Sequence, residues 1–341
     1  MTTRTFEKRR IGQTALEVTT LGLGAATLSG SFRPVPPEQA RATVLHAIDS
    51  GITYVDTAPH YGFGRSEHFV GDALRERPGK AVLSTKVGRL MKAERNAFDH
   101  GTEFVDPFPF RRVYDYSYDG IMRSHEDSLQ RLGLSHVDIL YVHDLGAGTH
   151  GVEGNKPYWE QFTTGGGYRA LRELRESGAV SAIGLGVNEW QVLMQAFELG
   201  DWDVFMLAGR YTLLEQTSLS PFMETCIKRK ASVVVAGPFN SGILVGGDTF
   251  DYKKAPDEVV ARVRTIEGVC REFGVPLPAA ALQFPLTHPA VCNVVPGPRS
   301  PEELDGILAW WDAKIPDELW TTLAAKGLLA AGTPVPGGGT A

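Results

Sequence analysis

The sequence has little cysteine and no long apolar stretch. Its 341 residues contain three cysteines, Cys226, Cys270 and Cys292. Their odd number argues against a disulfide framework, and the absence of CxxC spacing argues against a zinc site. No apolar run is long enough to span a membrane, and the N-terminal MTTRTFEKRRIGQ lacks the apolar core of a signal peptide. We therefore expect a cytoplasmic protein without a structural metal.

Blocks of basic residues are also absent. The chain has 34 Lys and Arg against 40 Asp and Glu, a formal net charge of -6. Such a chain has no electrostatic footprint for nucleic acid or an anionic membrane, so we expect a small-molecule partner. Hydrophobic residues make up 43% of the chain, and closed α/β barrels of this length commonly form one domain. We expect one domain over residues 1–330 and a flexible, glycine-rich tail over 331–341.

Short apolar runs recur along the chain and are separated by amphipathic segments. Several are apolar almost throughout, which is typical of parallel strands buried on both faces. The alternation of strand-like and helix-like segments predicts an α/β protein with a closed (β/α)8 TIM barrel. The eight predicted strands cover residues 21–28, 52–58, 81–87, 137–144, 181–187, 204–211, 232–239 and 290–297.

The segments around these runs also carry structural signals. Residues 6–20 predict a hairpin with a turn at Gly12, which would cover the N-terminal face of the barrel. The connections over 90–116 and 145–167 are long, and we expect them to be irregular loops at the C-terminal face. GLGAATLSG begins with G-x-G but lacks the spacing of a dinucleotide-binding fingerprint, so a Rossmann domain is not expected.

Four residues that can transfer protons fall at or just after three neighbouring strand ends. Asp56 lies near the end of the second strand, Tyr61 follows that strand, Lys86 lies near the end of the third strand and His143 near the end of the fourth. Because the carboxyl ends of barrel strands converge on one face, the four side chains should meet at one mouth. A Lys86 ammonium would favour the Tyr61 phenolate, Asp56 would hold Lys86, and His143 would orient a substrate oxygen.

Each of the four residues alone also has an ordinary structural explanation. Asp56 could cap a turn, Lys86 could form a surface ion pair, His143 could be a core histidine and Tyr61 could simply pack. Their shared placement at strand ends favours a catalytic site.

The motifs VDTAPHYG, STKVG and VDILYVHD closely resemble those of the aldo-keto reductases, and the resemblance extends over nearly the whole chain. It implies that Asp56, Tyr61, Lys86 and His143 form a catalytic tetrad in a metal-free barrel. The family's reaction moves a hydride between a nicotinamide cofactor and a carbonyl or alcohol carbon, with the tyrosine as general acid or base. The resemblance also implies a monomer or a small homo-oligomer.

The cofactor residues are expected in the loops that follow the strands. Phosphate would lie near the loops after the seventh and eighth strands, and Asn188 resembles the family's nicotinamide-binding asparagine although Val187 replaces its serine partner. Ala208 and Ala236 stand where the family commonly has a glutamine and a stacking aromatic residue. The cofactor-binding candidates are Gly24, Ala25, Asn188, Pro238, Phe239, Ser241, Gly242, Gly297, Arg299 and Glu303.

The last of these loops bears on the choice between NAD and NADP. Glu303 stands where the family often has a phosphate-binding arginine, and a carboxylate would repel a 2′-phosphate but accept a bond from a free ribose hydroxyl. Arg299 is a cation in the same loop that could bind the 2′-phosphate, so NADP stays a possible cofactor. We expect NAD, with NADP as the alternative.

Further segments, including GRLM and GPFNSGIL, resemble a narrower branch of D-threo-aldose (L-fucose) dehydrogenases, L-galactose dehydrogenases and pyridoxal 4-dehydrogenase. The resemblance implies oxidation of a cyclic hemiacetal carbon to a lactone. We expect an aldose as substrate, with pyridoxal as the alternative, and His60 and Trp159 as substrate contacts. Loop aromatics suit either ring, and these residues do not separate the two substrates.

Other functions remain open at this point. An NADPH-dependent aldehyde reductase would use the same four residues, and some barrels of this family are non-catalytic, cofactor-binding channel subunits. The intact tetrad argues against the subunit. A metal-dependent hydrolase using Asp56, His60, Lys86 and His143 has no H-x-H motif to support it.

Overall fold

The computed structural model describes residues 4–95, 102–336 and 339–340. Its centre is a sheet of eight parallel strands, β1 to β8, whose order in space follows the chain. The Gly22 N–H donates to the Val294 oxygen at 2.9 Å, and the Val294 N–H donates to the Thr20 oxygen at 2.8 Å. These bonds join the first strand to the last, so the predicted barrel is confirmed. The strands are β1 (Leu23–Gly24), β2 (Tyr54–Asp56), β3 (Val82–Val87), β4 (Ile139–His143), β5 (Ala182–Val187), β6 (Val204–Ala208), β7 (Ser232–Ala236) and β8 (Val291–Val295).

Helices surround the barrel, and several begin and end at the signals in the sequence. Pro37 opens the first helix, the Ser117 hydroxyl accepts from the Gly120 N–H at the start of the third, and Gly133 ends that helix with φ 62°. The helices are α1 (Pro37–Asp49), α2 (Arg65–Arg75), α3 (Tyr118–Leu132), α4 (Ala147–His150), α5 (Val152–Phe162), α6 (Gly167–Glu176), α7 (Trp190–Phe197), α8 (Glu224–Arg229), α9 (Asp257–Glu272), α10 (Leu277–Gln283), α11 (Pro301–Trp311) and α12 (Asp317–Ala325). Within the described residues, no helix has the length and apolar character needed to cross a membrane.

An N-terminal hairpin covers the bottom of the barrel, as predicted. Lys8–Arg10 pairs antiparallel with Glu17–Thr19. The turn requires glycine, because Gly12 has φ 52° and a Cβ there would lie 2.5 Å from the Asp203 oxygen. The Gly12 N–H also donates to the Ser232 hydroxyl at 2.8 Å, which ties the turn to the start of β7.

The two long connections follow the carboxyl ends of β3 and β4, as predicted, but the prediction that they are irregular was wrong. The first contains a hairpin in which Arg89–Ala93 pairs with Phe110–Tyr114, and the second contains α4 and α5. Charged residues interrupt the alternation in the hairpin strands, and glycines together with Pro157 weaken the helix pattern of α5.

Two smaller hairpins lie elsewhere in the chain. Thr249–Phe250 pairs with Lys253–Lys254 after β7. In the described part of the predicted flexible tail, Pro334–Val335 pairs with Gly339–Thr340, and the Val335 side chain is buried. The flexibility of that tail stays a prediction.

Candidate active site

The barrel brings the four predicted catalytic residues together. Asp56, Lys86 and His143 lie at or next to the carboxyl ends of β2, β3 and β4. The Lys86 ammonium donates to Asp56 Oδ2 at 2.6 Å and to the Thr57 oxygen at 3.0 Å. Its Nζ lies 4.7 Å from the centre of the Tyr61 ring, whose own centre lies 5.8 Å from that of the His143 imidazole. The four groups therefore share one mouth.

Tyr61 reaches this mouth because the chain turns sharply after β2. A short 3-10 helix spans Tyr61–Gly64, and within it Gly62 and Phe63 have φ of 60° and 55°. A Cβ on Gly62 would lie 2.8 Å from the Ser29 Cβ, so the close approach of this turn to the loop after β1 requires glycine. The glycines of the motif YGFG thus hold Tyr61 over Lys86.

Burial dominates the electrostatics of the tetrad. It opposes the Lys86 charge, but Asp56 and Tyr61 outweigh it and leave the pKa of Lys86 raised. Burial raises the pKa of the Tyr61 phenol, and the Lys86 charge offsets that rise only in part. The expectation that Lys86 lowers the Tyr61 pKa is therefore right in sign for that one interaction but wrong for the net shift.

The two histidines at the mouth are neutral near pH 7. Burial lowers the pKa of His143 well below its usual value, and the nearby Arg89 and Lys86 charges lower it further. Burial also lowers the pKa of His60 to about 4. A neutral imidazole at His143 can hydrogen-bond a substrate oxygen without competing with Lys86 for negative charge.

The buried Arg89 and the partly exposed Asp144 form an ion pair at the mouth that sequence reasoning missed. Only 4% of the Arg89 surface is exposed. Asp144 Oδ2 also lies 3.5 Å from His143 Nε2. Asp144 has φ 48°, and this left-handed conformation turns the chain directly after β4. The sequence did contain a signal for this pair. Arg89 directly follows the motif STKVG, which contains Lys86, and Asp144 directly follows His143.

His60 lies beside the tetrad, as expected of a substrate contact. It is 6% exposed, and its ring centre lies 5.9 Å from that of His143 and 5.4 Å from that of Phe104. Phe104 also faces Tyr61, with ring centres 6.5 Å apart. His60 and Phe104 thus form a wall next to Tyr61.

Trp159 is placed differently. Among the described residues, the Trp159 ring contacts the Phe162 ring, with 6.1 Å between their centres. Phe162 in turn packs on Tyr168 and Trp202. This arrangement supports packing of α5 against α6. The role of Trp159 as a substrate contact stays a prediction without support from these contacts.

The candidate cofactor residues at the first and last strands lie where the barrel closes. The Gly24 N–H donates to the Pro296 oxygen at 2.9 Å, and the Ala25 N–H donates to the Asp56 oxygen at 2.9 Å. A Cβ on Gly297 would lie 3.0 Å from the Thr27 hydroxyl. These residues sit beside the mouth, and Asn188 is half-buried directly after β5.

The loop after β7 has a partly occupied set of backbone donors. Pro238 is buried, Phe239 is half-buried, and Ser241 and Gly242 have φ of 60° and 103°. The Gly242 N–H donates to the Phe239 oxygen at 3.0 Å, and the Ser241 hydroxyl accepts from the Tyr252 N–H at 3.1 Å. Of the predicted phosphate cradle, the Gly242 N–H is therefore already used within the loop, whereas the Ser241 hydroxyl, which accepts here, keeps its proton to donate.

The ends of β6 and β7 have room for a flat ring. Gly209 and Gly237 have positive φ, and a Cβ on them would meet nothing closer than 3.7 and 3.9 Å. Ala208 and Ala236 add only methyl groups. Among the described residues, Asn240 Oδ1 is buried here without a hydrogen-bond partner. Small residues and an orphaned acceptor fit a bound amide-bearing ring such as nicotinamide.

Glu303 has a structural role in addition to its predicted one. Ser300 caps α11 by accepting from the Glu303 N–H, and the Glu303 carboxylate accepts from the Arg299 N–H at 2.8 Å. This is a variant of the capping box that S-x-x-E predicts. The Arg299 guanidinium points to the Ser31 oxygen at 3.4 Å, and its Nε is buried without a hydrogen-bond partner in the part of the chain that the structure describes.

The barrel brings together at its mouth groups whose chemistry suits proton transfer. Across the described ranges, no group of three or more His, Cys, Asp or Glu residues is arranged to hold a metal ion. Residues 20–327 match the aldo/keto reductase family. The chain belongs to this family, which confirms the resemblance in its motifs, and it is an NAD(P)-dependent oxidoreductase.

Two named relatives lie in the expected branch. A pyridoxal 4-dehydrogenase from Microbacterium luteolum is 49% identical over 339 residues, covering 95% of this chain and 98% of that protein. A D-threo-aldose 1-dehydrogenase from Pseudomonas sp is 37% identical over 324 residues, covering 92% and 95%.

Solved structures share the fold at lower identity. The holo form of the aldo-keto reductase AKR11C1 from Bacillus halodurans has a TM-score of 0.74 at 22% identity, covering 96% of this chain and 97% of that one. The glycerol dehydrogenase AKR11B4 from Gluconobacter oxydans has a TM-score of 0.72 at 24% identity, covering 95% of both chains. These likenesses support the barrel.

Proposed function

We propose that this protein oxidises pyridoxal, in its cyclic hemiacetal form, to the corresponding lactone. The observation that carries the proposal is the 49% identity with a pyridoxal 4-dehydrogenase across nearly the whole of both chains. This reverses the order of the sequence interpretation, which ranked an aldose first. The wall of His60 and Phe104 beside Tyr61 would accommodate the flat ring of pyridoxal, although it does not by itself distinguish that ring from a sugar.

In the proposed reaction Tyr61 takes the proton of the hemiacetal hydroxyl as the carbon–oxygen bond becomes double. Lys86, held by Asp56 at 2.6 Å, stabilises the phenolate that accepts this proton. The neutral His143 donates a hydrogen bond to the same substrate oxygen and fixes its position. When bound, the oxidised nicotinamide supplies the acceptor for the hydrogen and electron pair that leave the hemiacetal carbon.

We propose NAD as the preferred cofactor. The Glu303 carboxylate lies at the start of α11, where its charge would oppose a 2′-phosphate, although its bond to the Arg299 N–H already uses one oxygen. Arg299 is the counter-argument, because its guanidinium lies in the same loop. The ends of β6 and β7, with Asn188 after β5, would hold the nicotinamide.

Aldose oxidation is the second candidate, supported by the 37% identity with a D-threo-aldose 1-dehydrogenase. The same tetrad would take the anomeric hydroxyl proton of the sugar, and the Phe104 ring would face the apolar side of the pyranose.

We further propose that residues 1–330 act as one barrel, in a cytoplasmic monomer or small homo-oligomer. Cys226, Cys270 and Cys292 are buried and free, which supports a reducing compartment. Light scattering on the purified chain would measure its mass in solution.

The test is a comparison of kcat/KM for pyridoxal, L-fucose, D-arabinose and L-galactose, each with NAD and with NADP. We expect the highest value for pyridoxal with NAD, and a product two hydrogens lighter than pyridoxal by mass spectrometry. A higher value for a sugar would replace pyridoxal with the aldose candidate. Turnover only as NADPH-dependent aldehyde reduction would contradict both the substrate and the cofactor proposals.

A further inference from the structure

A chain of hydroxyl groups runs beneath the catalytic residues in the interior of the barrel. Ser84 Oγ donates to Asp56 Oδ1 at 2.7 Å, and the same Ser84 oxygen lies 2.9 Å from the Tyr54 hydroxyl. The Tyr54 hydroxyl in turn lies 3.1 Å from the Tyr141 hydroxyl. Tyr54, Ser84 and Tyr141 are fully buried. Burying three hydroxyls in an otherwise apolar layer is costly unless they bond to one another.

The pleat of the strands explains why these groups lie together. Side chains two residues apart on a strand point to the same face, so the residues two positions before Asp56, Lys86 and His143 also point into the barrel. These residues are Tyr54, Ser84 and Tyr141. Sheet register places Asp56 opposite Ser84 and Lys86 opposite Tyr141. The three hydroxyls therefore form the layer directly below the tetrad.

The Asp56 carboxylate sets the direction of this chain. A carboxylate only accepts hydrogen bonds, so Ser84 must donate its proton to Asp56. The Ser84 oxygen is then free to accept from Tyr54, and the Tyr54 oxygen to accept from Tyr141. All three hydroxyl dipoles point toward the carboxylate, and bonds aligned in this way strengthen one another.

We propose that Ser84, Tyr54 and Tyr141 are positioning residues that hold Asp56 in register with Lys86 and partly offset its charge, so that Lys86 acts on Tyr61. This inference rests on the proposed catalytic role of the tetrad. The Asp56 carboxylate accepts from Ser84 through one oxygen and from Lys86 through the other. Without Ser84 the full carboxylate charge would act on Tyr61 and disfavour the phenolate, and Asp56 would be free to rotate.

The test is a series of three variants, Ser84→Ala, Tyr54→Phe and Tyr141→Phe, assayed for kcat and KM across pH. Because a hydrogen bond to a charged group is worth more than one between neutral groups, we expect kcat to fall about tenfold in Ser84→Ala, about threefold in Tyr54→Phe and less in Tyr141→Phe. KM should change little, since none of the three reaches the mouth. The alkaline rise of the oxidation rate should move to higher pH in the same order.

The pH readout must be interpreted with all the groups that act on this region. Besides Asp56 and the three hydroxyls, the charged and titratable groups that influence Tyr54, Asp56 or Tyr61 are Lys86, Arg89, His143, Asp144, Tyr252 and Cys292. All of these stay in place in the three variants, so a graded shift of the pH profile reports the hydroxyl chain. Tyr168→Phe, on α6 outside the barrel, is the control for removal of a tyrosine hydroxyl and should leave the rate unchanged.

Each outcome bears on the proposal. A graded loss with a graded pH shift supports it. Unchanged kcat in Ser84→Ala and Tyr54→Phe would overturn it, as would losses that follow thermal stability without any change in pH profile. The series is repeated for reduction of 4-nitrobenzaldehyde, which needs the same tetrad. If neither pyridoxal nor a sugar is oxidised, the substrate proposal fails. Reduction of the aldehyde then still tests whether the hydroxyls of Ser84, Tyr54 and Tyr141 position Asp56.

Discussion

Lys86→Met is the perturbation that most directly tests the electrostatics of the site. At 4.7 Å from the Tyr61 ring centre, the ammonium should favour the phenolate by about 3–4 kcal/mol at an effective dielectric constant of roughly 20. Removing it should therefore slow oxidation by about 10²–10³-fold. The methionine keeps most of the volume of the lysine stem, so the loss reports the charge.

The same substitution should change the pH dependence of stability. Breaking a buried ion pair costs about 3–5 kcal/mol, but Asp56 can take up a proton once Lys86 is gone. Burial already raises the pKa of Asp56 in the wild type, and the Lys86 charge lowers it only in part, so loss of Lys86 would raise that pKa further. The variant should therefore lose stability relative to wild type as pH rises from the acidic range toward neutrality. Urea unfolding at several pH values measures this, with the exposed Lys326→Met on the outer surface as control.

A double-mutant cycle decides whether Lys86 acts through Tyr61. Initial rates of reduced-nicotinamide formation are measured for Lys86→Met, Tyr61→Phe and the double variant. If the ammonium acts on the phenol, the double variant should be no slower than Tyr61→Phe alone. Additive losses, or a Lys86→Met rate within threefold of wild type, would refute this reasoning.

Two further predictions concern stability. Since burial lowers the pKa of His60 to about 4, its neutral form stabilises the fold above pH 6.5, and this contribution is lost as pH falls toward 4. The stability lost on acidification should therefore be smaller in His60→Gln, by up to about 3 kcal/mol, in urea titrations at two pH values. Gly12→Ala should cost about 2–4 kcal/mol, because it combines positive φ with a backbone clash. Gly79→Ala, with φ 68° and open space around it, should cost about 1 kcal/mol in the same thermal or urea assay, and equal costs would contradict the role of the clash.

The sequence was sufficient for the barrel and the tetrad because both depend on local patterns. Apolar runs mark buried parallel strands, and parallel strands place their carboxyl ends on one face. Asp56, Lys86 and His143 could therefore be brought together without knowledge of any distance. The start of α1 at Pro37 and the turn at Gly12 were predictable for the same reason.

What the sequence did not reveal depends on contacts between distant segments. The Arg89–Asp144 pair joins the hairpin after β3 to the segment after β4, and nothing in either segment alone shows that an arginine will be buried. The net pKa of Tyr61 depends on how much protein covers the ring, which a motif does not report. Trp159 lay in a connection expected to be a loop, and the sequence did not show that it would stand on a helix with its ring against Phe162.

Two features of the structure have a signature in the sequence that the motif analysis did not use. Ser300 and Glu303 have the spacing of a capping box, and that role accounts for the carboxylate alongside any contact with ribose. The hydroxyl layer could also have been found by reading two residues back from each catalytic position. The choice between pyridoxal and an aldose, by contrast, turns on the shape of the mouth and could not be read from single residues.

The central claim is that Tyr61 exchanges the substrate proton, and one measurement tests it most directly. The rate of nicotinamide reduction with pyridoxal is followed for wild type and Tyr61→Phe between about pH 6 and pH 10. Because oxidation needs the phenolate and burial raises the pKa of Tyr61, the wild-type rate should climb throughout this range. Tyr61→Phe should be slower by about 10²–10⁴-fold while remaining folded. A variant that keeps the wild-type rate, or a wild-type rate that falls as pH rises, would contradict the account.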